Sequence, residues 1–203
     1  MAKIIIIDYG MGNLRSVQKA FERINIPAIV TGDKNIILKA DKLILPGVGH
    51  FRNGITRLHD LGLIDILNKK VLEDKTPILG ICLGMQLFTK YSEEGDCAGL
   101  GFIDAKTIKF RKEKDRLKIP HMGWNNVVFN KDCIFGDEIF SKDNYYFVHS
   151  YHVECNDKND IIGTTFYGSS FVSAINRHNV TGVQFHPEKS YNAGLQLLNK
   201  FCS

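Results

Sequence analysis

The stretch from Pro77 to Leu87 (PILGICLGMQL) constrains the fold of this chain more than any other. Its first half is an apolar run typical of a buried strand, and a helical pattern follows, so Cys82 lies at the turn between them. Gly-x-Cys-x-Gly has the form of a nucleophile elbow. Gly80 and Gly84 remove side chains where the strand and the helix pack closely. Because N–H groups at the start of a helix favour a thiolate, we predict a nucleophile at Cys82 rather than a buried core cysteine.

A candidate base for this nucleophile lies near the other end of the chain, in the segment 183–190 (VQFHPEKS). His186 has a side chain that titrates near neutrality, so it can take up a proton and return it. Glu188 can accept a hydrogen bond from the far ring nitrogen, which fixes the tautomer and stabilises the imidazolium. Alone, His-Pro-Glu is also compatible with an exposed turn. Together with Cys82 it predicts a Cys-His-Glu triad, whose members meet in space rather than along the chain.

The order of predicted elements indicates an α/β fold in a single domain, residues 1–203. The predicted strands are 4–7, 28–31, 42–45 and 77–81. The predicted helices are 13–24, with Asn13 as its candidate cap, 51–59, 63–73 and 84–91. This alternation predicts a doubly wound, mostly parallel sheet flanked by helices, with ligands at the carboxyl ends of the strands. Shorter strands between about 101 and 173 indicate antiparallel additions to the sheet, and a helix at about 192–201 closes the chain.

Charge and composition exclude several classes of function. With 26 basic and 22 acidic residues dispersed along 203, the formal net charge of +4 does not indicate binding to nucleic acid or membranes. The segment 2–8 is a short apolar run ended by an acid, which predicts a buried strand rather than a signal peptide. No run approaches the roughly 20 apolar residues of a membrane span. Five cysteines without paired spacings indicate a reducing compartment, so we expect a cytoplasmic protein.

The motifs resemble those of the class I, triad-type glutamine amidotransferases. Within that family the chain is most similar to the glutaminase subunits of imidazole glycerol phosphate synthase. Besides the elbow and His-Pro-Glu, the matching segments are 7–14 (IDYGMGNL), 45–49 (LPGVG), 120–125 (PHMGWN) and 146–151 (YFVHSY). The resemblance covers nearly the whole chain. It implies a flavodoxin-like fold, glutamine as the substrate, release of glutamate and ammonia, and no cofactor.

The same resemblance implies roles for residues around the elbow. Main-chain N–H groups of Val48 and Leu83 would form an oxyanion hole, where donors held in place meet the charge that acyl transfer builds on oxygen. Without the elbow, the loop around Val48 could equally be a turn that ends a strand. The implied substrate-binding residues are Gly47, Gly49, Gln86, Ser150 and Tyr151.

The resemblance also implies a partner subunit. Free ammonia would mostly become ammonium, so a lone glutaminase needs a synthase that receives ammonia directly. The implied partner is a (β/α)₈-barrel cyclase of histidine biosynthesis, docked as a heterodimer on a face with Asn13, Trp124 and Lys189. The Pro46–Gly49 loop is the candidate gate that keeps the isolated subunit nearly inactive.

Two other histidine patterns could indicate a second base or a metal site. His50 departs from the small residue common in the family, and we expect an exposed loop histidine rather than a second base. His149, His152 and Cys155 have a spacing that invites a metal interpretation. On a strand this spacing splays the side chains to opposite faces, so we expect no metal.

Two alternative functions remain open from the sequence. The chain could be a paralogue that supplies ammonia to a barrel enzyme that amidinates a sugar for a surface glycan, because the acceptor substrate binds the partner. It could also be an inactive scaffold. Retention of Cys82, His186 and Glu188 together argues against the scaffold.

Overall fold

A computed structural model describes residues 2–111, 118–130, 133–135, 140 and 143–203. The strands are β1 Ile4–Ile7, β2 Ala28–Thr31, β3 Lys42–Gly47, β4 Ile78–Cys82, β5 Tyr91–Ser92, β6 Cys97–Ala98, β7 Ala105–Lys109, β8 His121–Asn126, β9 Val128–Phe129, β10 Asn144–His149, β11 Tyr151–Cys155, β12 Ile161–Tyr167, β13 Ser169–Arg177 and β14 Val180–Val183. The α-helices are α1 Leu14–Arg23, α2 Lys34–Ile37, α3 Phe51–Asp60, α4 Ile64–Asn68, α5 Leu83–Leu87 and α6 Tyr191–Cys202. A π-helical turn Lys69–Glu73 continues α4, and 3₁₀ turns cover Lys158–Asp160 and Pro187–Lys189.

Five parallel strands form the centre of the fold, in the order β2-β1-β3-β4-β14. Both faces of β1, β3 and β4 are buried, which is why these three strands are nearly continuous apolar runs. In β1, Ile4 and Ile6 pack into one core cluster, while Ile5 and Ile7 pack into the cluster on the other face. The predicted α/β class with a mostly parallel sheet is confirmed.

Antiparallel strands extend the sheet beyond β14, through β13, β11 and β7, as the sequence predicted. The region predicted to hold them, 101–173, includes residues 112–117, 131–132, 136–139 and 141–142, which lie outside the described residues. Among the strands described, β8 and β10 do not join the sheet but pair with each other as a two-stranded ribbon. This ribbon places His121 beside His149 and Trp124 beside Tyr146.

Most predicted elements occur within a residue or two of their predicted limits. Asn13 caps α1 as predicted, because its side-chain oxygen accepts a hydrogen bond from the Ser16 N–H at 3.3 Å. The helix predicted over 84–91 is wrong in length, since α5 ends at Leu87. The chain instead turns into β5, and the Lys90 N–H donates to the Ala105 carbonyl at 2.9 Å. In the described part of the chain, no helix is long and apolar enough to cross a membrane.

Candidate active site

Cys82 occupies a strained turn between β4 and α5. Its φ of 54° and ψ of −107° lie where residues other than glycine are rarely found, and such strain is held by the surrounding packing. A methyl group at Gly84 would overlap the carbonyl oxygen of Leu45, and one at Gly80 would come within 2.6 Å of the Met85 nitrogen. The predicted strand–turn–helix elbow is therefore present in the structure, and a side chain fits at neither Gly80 nor Gly84.

His186 and Glu188 form a buried pair directly after β14. His186 Nδ1 lies 2.8 Å from Glu188 Oε1, and only 1% and 2% of their side chains are exposed. A carboxylate oxygen accepts, so Nδ1 carries the proton and Nε2 is left without a hydrogen-bond partner among the described residues. Burial lowers the pKa of His186, but the charge of Cys82 and the contact with Glu188 outweigh burial and raise it. The charged form of the His186 ring is thus favoured.

One cavity of about 300 Å³ brings most of the predicted site residues together. The predicted residues that line it are Val48, Gly49, Cys82, Leu83, Gln86, Ser150, Tyr151 and His186. Glu188 lies behind His186 rather than in the lining. Gly47 pairs with Cys82 in the parallel register of β3 and β4, and a methyl group there would collide with the Tyr9 hydroxyl. The cavity lies at the carboxyl ends of the parallel strands, where the fold predicts a ligand.

Four further residues line this cavity, namely Glu94, Pro120, Val148 and His149. None of these four residues was predicted from the sequence to belong to the site. Glu94 comes from the turn between β5 and β6, and its Oε2 accepts a hydrogen bond from the Phe51 N–H at 2.8 Å. This contact between residues far apart in sequence ties the acidic side chain to the start of α3. No local pattern in the sequence marks Glu94.

His149 belongs to a chain of hydrogen bonds whose tautomers are fixed. His149 Nδ1 lies 2.8 Å from the Tyr151 carbonyl, which can only accept, so Nδ1 carries the proton. His149 Nε2 must then accept from His121 Nδ1, 3.0 Å away, and His121 Nε2 accepts from Asn125 Nδ2 at 3.3 Å. Burial lowers the pKa of His121 to about 4 and that of His149 to about 3. Both rings are therefore neutral at physiological pH.

The residues predicted to face a partner lie on the surface near the cavity. Trp124 is 47% exposed and stacks on Tyr191, with ring centroids 5.0 Å apart and planes 1° from parallel. Lys189 Nζ lies 5.6 Å from the ring centroid of Tyr146, which also contacts Trp124 edge-on. Asn13 is exposed at the start of α1, and α1 packs against the 3₁₀ turn that carries Lys189. We call Trp124, Tyr146, Lys189 and Tyr191 the aromatic patch.

The two remaining histidine patterns have structural explanations. His50 is exposed and precedes α3 without a side-chain capping bond. His149 is bound in the chain to His121, and the His152 ring packs 4.7 Å from that of Phe110. Within the residues that the structure describes, no group of three or more His, Cys, Asp or Glu side chains could hold a metal ion.

Comparison with known proteins agrees with this fold. The family described as glutamine amidotransferase class-I matches residues 5–202. Among solved structures, one described as a glutamine amidotransferase superimposes with a TM-score of 0.75 at 16% identity, covering 98% of this chain and 99% of that one. PurLQS from Thermotoga maritima gives a TM-score of 0.70 at 19% identity, with 100% and 98% covered. At these sequence identities the structural matches support the assignment of the fold alone.

Curated relatives are closer in sequence. Imidazole glycerol phosphate synthase subunit HisH 2 of Methanococcus maripaludis is 55% identical over 198 residues, with 98% of both chains covered. Subunit HisH 1 of Campylobacter jejuni (strain RM1221) is 46% identical over 199 residues, again with 98% of both chains covered. This chain therefore belongs to the class I glutamine amidotransferase family and, within it, to the HisH subunits of imidazole glycerol phosphate synthase. It is an amidotransferase subunit and an enzyme.

Proposed function

We propose that this chain hydrolyses glutamine with Cys82 as the nucleophile, His186 as the acid and base, and Glu188 as the residue that orients His186. The observation that carries the proposal is the geometry of the cavity: a strained Cys82 and a buried His186 line it together, and Glu188 holds the far side of the imidazole. An unreactive core cysteine needs neither a backbone held at positive φ nor an ionised histidine beside it.

The reaction follows from the proton positions. The Cys82 thiolate attacks the side-chain amide carbon of glutamine, and the His186 imidazolium gives its proton to the departing nitrogen, which leaves as ammonia. A glutamyl thioester remains on Cys82. His186 then removes a proton from water, the hydroxide attacks the thioester, and the thiolate and glutamate separate. No cofactor enters either step.

The cavity supplies groups suited to this substrate. We assign the oxyanion to the main-chain N–H groups of Val48 and Leu83, which border the cavity on two different elements. We assign glutamine binding to Gly49, Gln86, Ser150 and Tyr151 in the cavity wall. We assign it also to Gly47, which pairs with Cys82 in the sheet. Glu94 adds a carboxylate to the same wall, and it matches the positive α-ammonium group that every free amino acid carries.

We further propose that ammonia passes to a (β/α)₈-barrel cyclase subunit of histidine biosynthesis, docked as a heterodimer partner. The relatives carry the name of imidazole glycerol phosphate synthase, which favours this client over a sugar-amidinating enzyme. We place the partner on the aromatic patch together with Asn13. Exposed aromatic and basic side chains are typical of binding hot spots, and Met122, 61% exposed, enlarges the apolar surface beside Trp124. We expect the complex to be cytoplasmic and this subunit to act as a single domain.

The test is a nucleophile variant assayed in the complex with the cyclase. Cys82→Ala should abolish synthesis supported by glutamine and spare synthesis supported by ammonium salts at raised pH, because free ammonia reaches the partner without the thiolate. Cys97→Ala is the matched control, since Cys97 lies outside the cavity lining and should retain both activities. Turnover of glutamine by Cys82→Ala would show that the triad is assigned wrongly.

A further inference from the structure

A second chain of hydrogen bonds ends on the sulfur of Cys82. Gln184 follows β14 and is completely buried, and its Nε2 lies 3.7 Å from Cys82 Sγ. Gln86, on α5, places its Nε2 3.0 Å from Gln184 Oε1 and 3.0 Å from the Tyr151 carbonyl oxygen. Three side chains and one backbone carbonyl are thus connected in a row, from the cavity wall to the reacting atom.

The donor and acceptor of each of these hydrogen bonds follow from the Tyr151 carbonyl oxygen. The Tyr151 carbonyl can only accept, so the Gln86 atom facing it is the NH₂ group. That same NH₂ group also faces Gln184, so the Gln184 atom opposite it must be the oxygen. The NH₂ group of Gln184 is therefore the end that faces the sulfur. The donor at Cys82 does not depend on an arbitrary choice between amide nitrogen and oxygen.

We propose that Gln184 donates a hydrogen bond to the Cys82 thiolate and so stabilises the reactive form of the nucleophile. A thiol sulfur is a weak acceptor, whereas bonds to an ionised partner are about twice as strong as neutral ones. The donor therefore favours the thiolate. The Val148 carbonyl, 4.0 Å from the sulfur, can accept only from a thiol and acts in the opposite direction. Gln86 is a positioning residue, because it holds the Gln184 amide with the NH₂ group toward sulfur.

This inference rests on the proposed role of Cys82 as the nucleophile, and it adds a residue that acts on the reacting atom. Gln184 has no side-chain contact with water, so removing its amide leaves the thiolate without a replacement donor on that side. The bond also limits where the sulfur can lie relative to His186. Both effects are specific to the ionised sulfur and are not expected of a residue that only fills the core.

The experiment measures the rate at which iodoacetamide alkylates Cys82 in the full chain as a function of pH. Trypsin releases residues 76–90, in which Cys82 is the sole cysteine, so mass spectrometry follows this site apart from the other four. In Gln184→Leu the midpoint of the alkylation curve should move up by about one pH unit, which slows alkylation below the midpoint about tenfold. Gln184→Met has nearly the length of glutamine but no donor to offer the sulfur. Its midpoint should move up as that of the leucine variant does.

Thr181→Val is the matched control, because Thr181 is buried on β14 and loses a comparable bond, from Asn176 Nδ2 at 2.9 Å. Its midpoint should equal that of the wild type. An unchanged midpoint in both Gln184 variants would overturn the role of Gln184. Glutamine turnover by Cys82→Ala would instead overturn the nucleophile assignment, so the two failures are told apart. Because Gln184→Met is closer in shape to glutamine than the leucine variant, it gives a result even where that variant is too unstable to measure.

Discussion

Lowering the pH from 6.5 to 5 should destabilise the protein through its buried histidines, and His149→Leu should remove part of that dependence. His121 and His149 have pKa values of about 4 and about 3 because burial disfavours the charged ring, and burial lowers the pKa of His152 as well. In the unfolded chain each would titrate near 6.5. Between these limits the unfolded state binds protons that the folded state does not. The contribution of these three histidines to stability is therefore complete above about pH 6.5, and it is lost as the pH falls toward their folded pKa values.

The size of the effect follows from the number of protons. Each histidine that is neutral when folded and charged when unfolded changes the free energy of unfolding by at most about 1.4 kcal/mol per pH unit. Replacing His149 removes one of the three histidines that take up a proton on unfolding between pH 6.5 and 5. The slope of stability against pH should then be smaller in His149→Leu than in the wild type by about 1 kcal/mol per pH unit. The window stays above the range where most carboxylates titrate.

The assay is urea unfolding followed by circular dichroism at half-unit steps from pH 6.5 to 5. His149→Leu also loses packing and hydrogen bonds, but that loss lowers stability at every pH and leaves the slope as the informative quantity. Thr181→Val is the control, because it removes a buried hydrogen bond but no titratable group, and its slope should equal that of the wild type. Equal slopes for His149→Leu and the wild type would refute the view that His149 is held neutral by burial.

Three further outcomes are expected. His186→Ala should reduce glutaminase activity nearly as much as loss of Cys82, whereas Glu188→Gln should reduce it less. Trapping the thioester by mass spectrometry ranks the variants, and an equal loss of activity in the Glu188 variant would contradict this ranking. The isolated chain should be a poor glutaminase whose activity rises by orders of magnitude with the barrel partner and its nucleotide ligand, since one missing oxyanion donor costs about 10²–10³ in rate; full activity alone would rule out the gate. Gly84→Ala should give little folded protein on expression, because its methyl group meets the Leu45 carbonyl of the neighbouring strand, and a wild-type melting temperature would contradict this.

The fold was largely predictable because its central strands are buried on both faces. Continuous apolar runs such as Ile4–Ile7 indicate such strands without any knowledge of their neighbours, and Asn13 marks the start of α1 by its own side chain. The errors arise where distant segments decide the local structure. The helix after Cys82 stops at Leu87 because strand pairing with the segment at Ala105 takes over the following residues. The four-residue α2 is too short to produce a helical period.

Some residues of the candidate site could likewise be predicted from local sequence, and others could not. Cys82 and His186 stand in motifs whose neighbouring residues reveal them, so they could be identified from the sequence. Glu94 and Gln184 contact residues 43 and 102 positions away, respectively, and no spacing pattern encodes such contacts. The bond between His121 and His149 depends on the register of β8 with β10. Their place in the site became visible only with the tertiary structure.

The Tyr151 carbonyl oxygen has a consequence for how the cavity can change shape. It accepts from His149 and from Gln86, so both of its lone pairs are in use, and rotating this peptide would break two bonds at once. At a net of roughly 1 kcal/mol or more for each bond, this side of the cavity is a stiff wall. Another part of the lining is formed by Val48, which is 40% exposed, and by Gly49, whose φ of 103° lies in the region glycine tolerates. Adjustment to a substrate or a partner is therefore expected there, because the peptide of Tyr151 is held by two bonds.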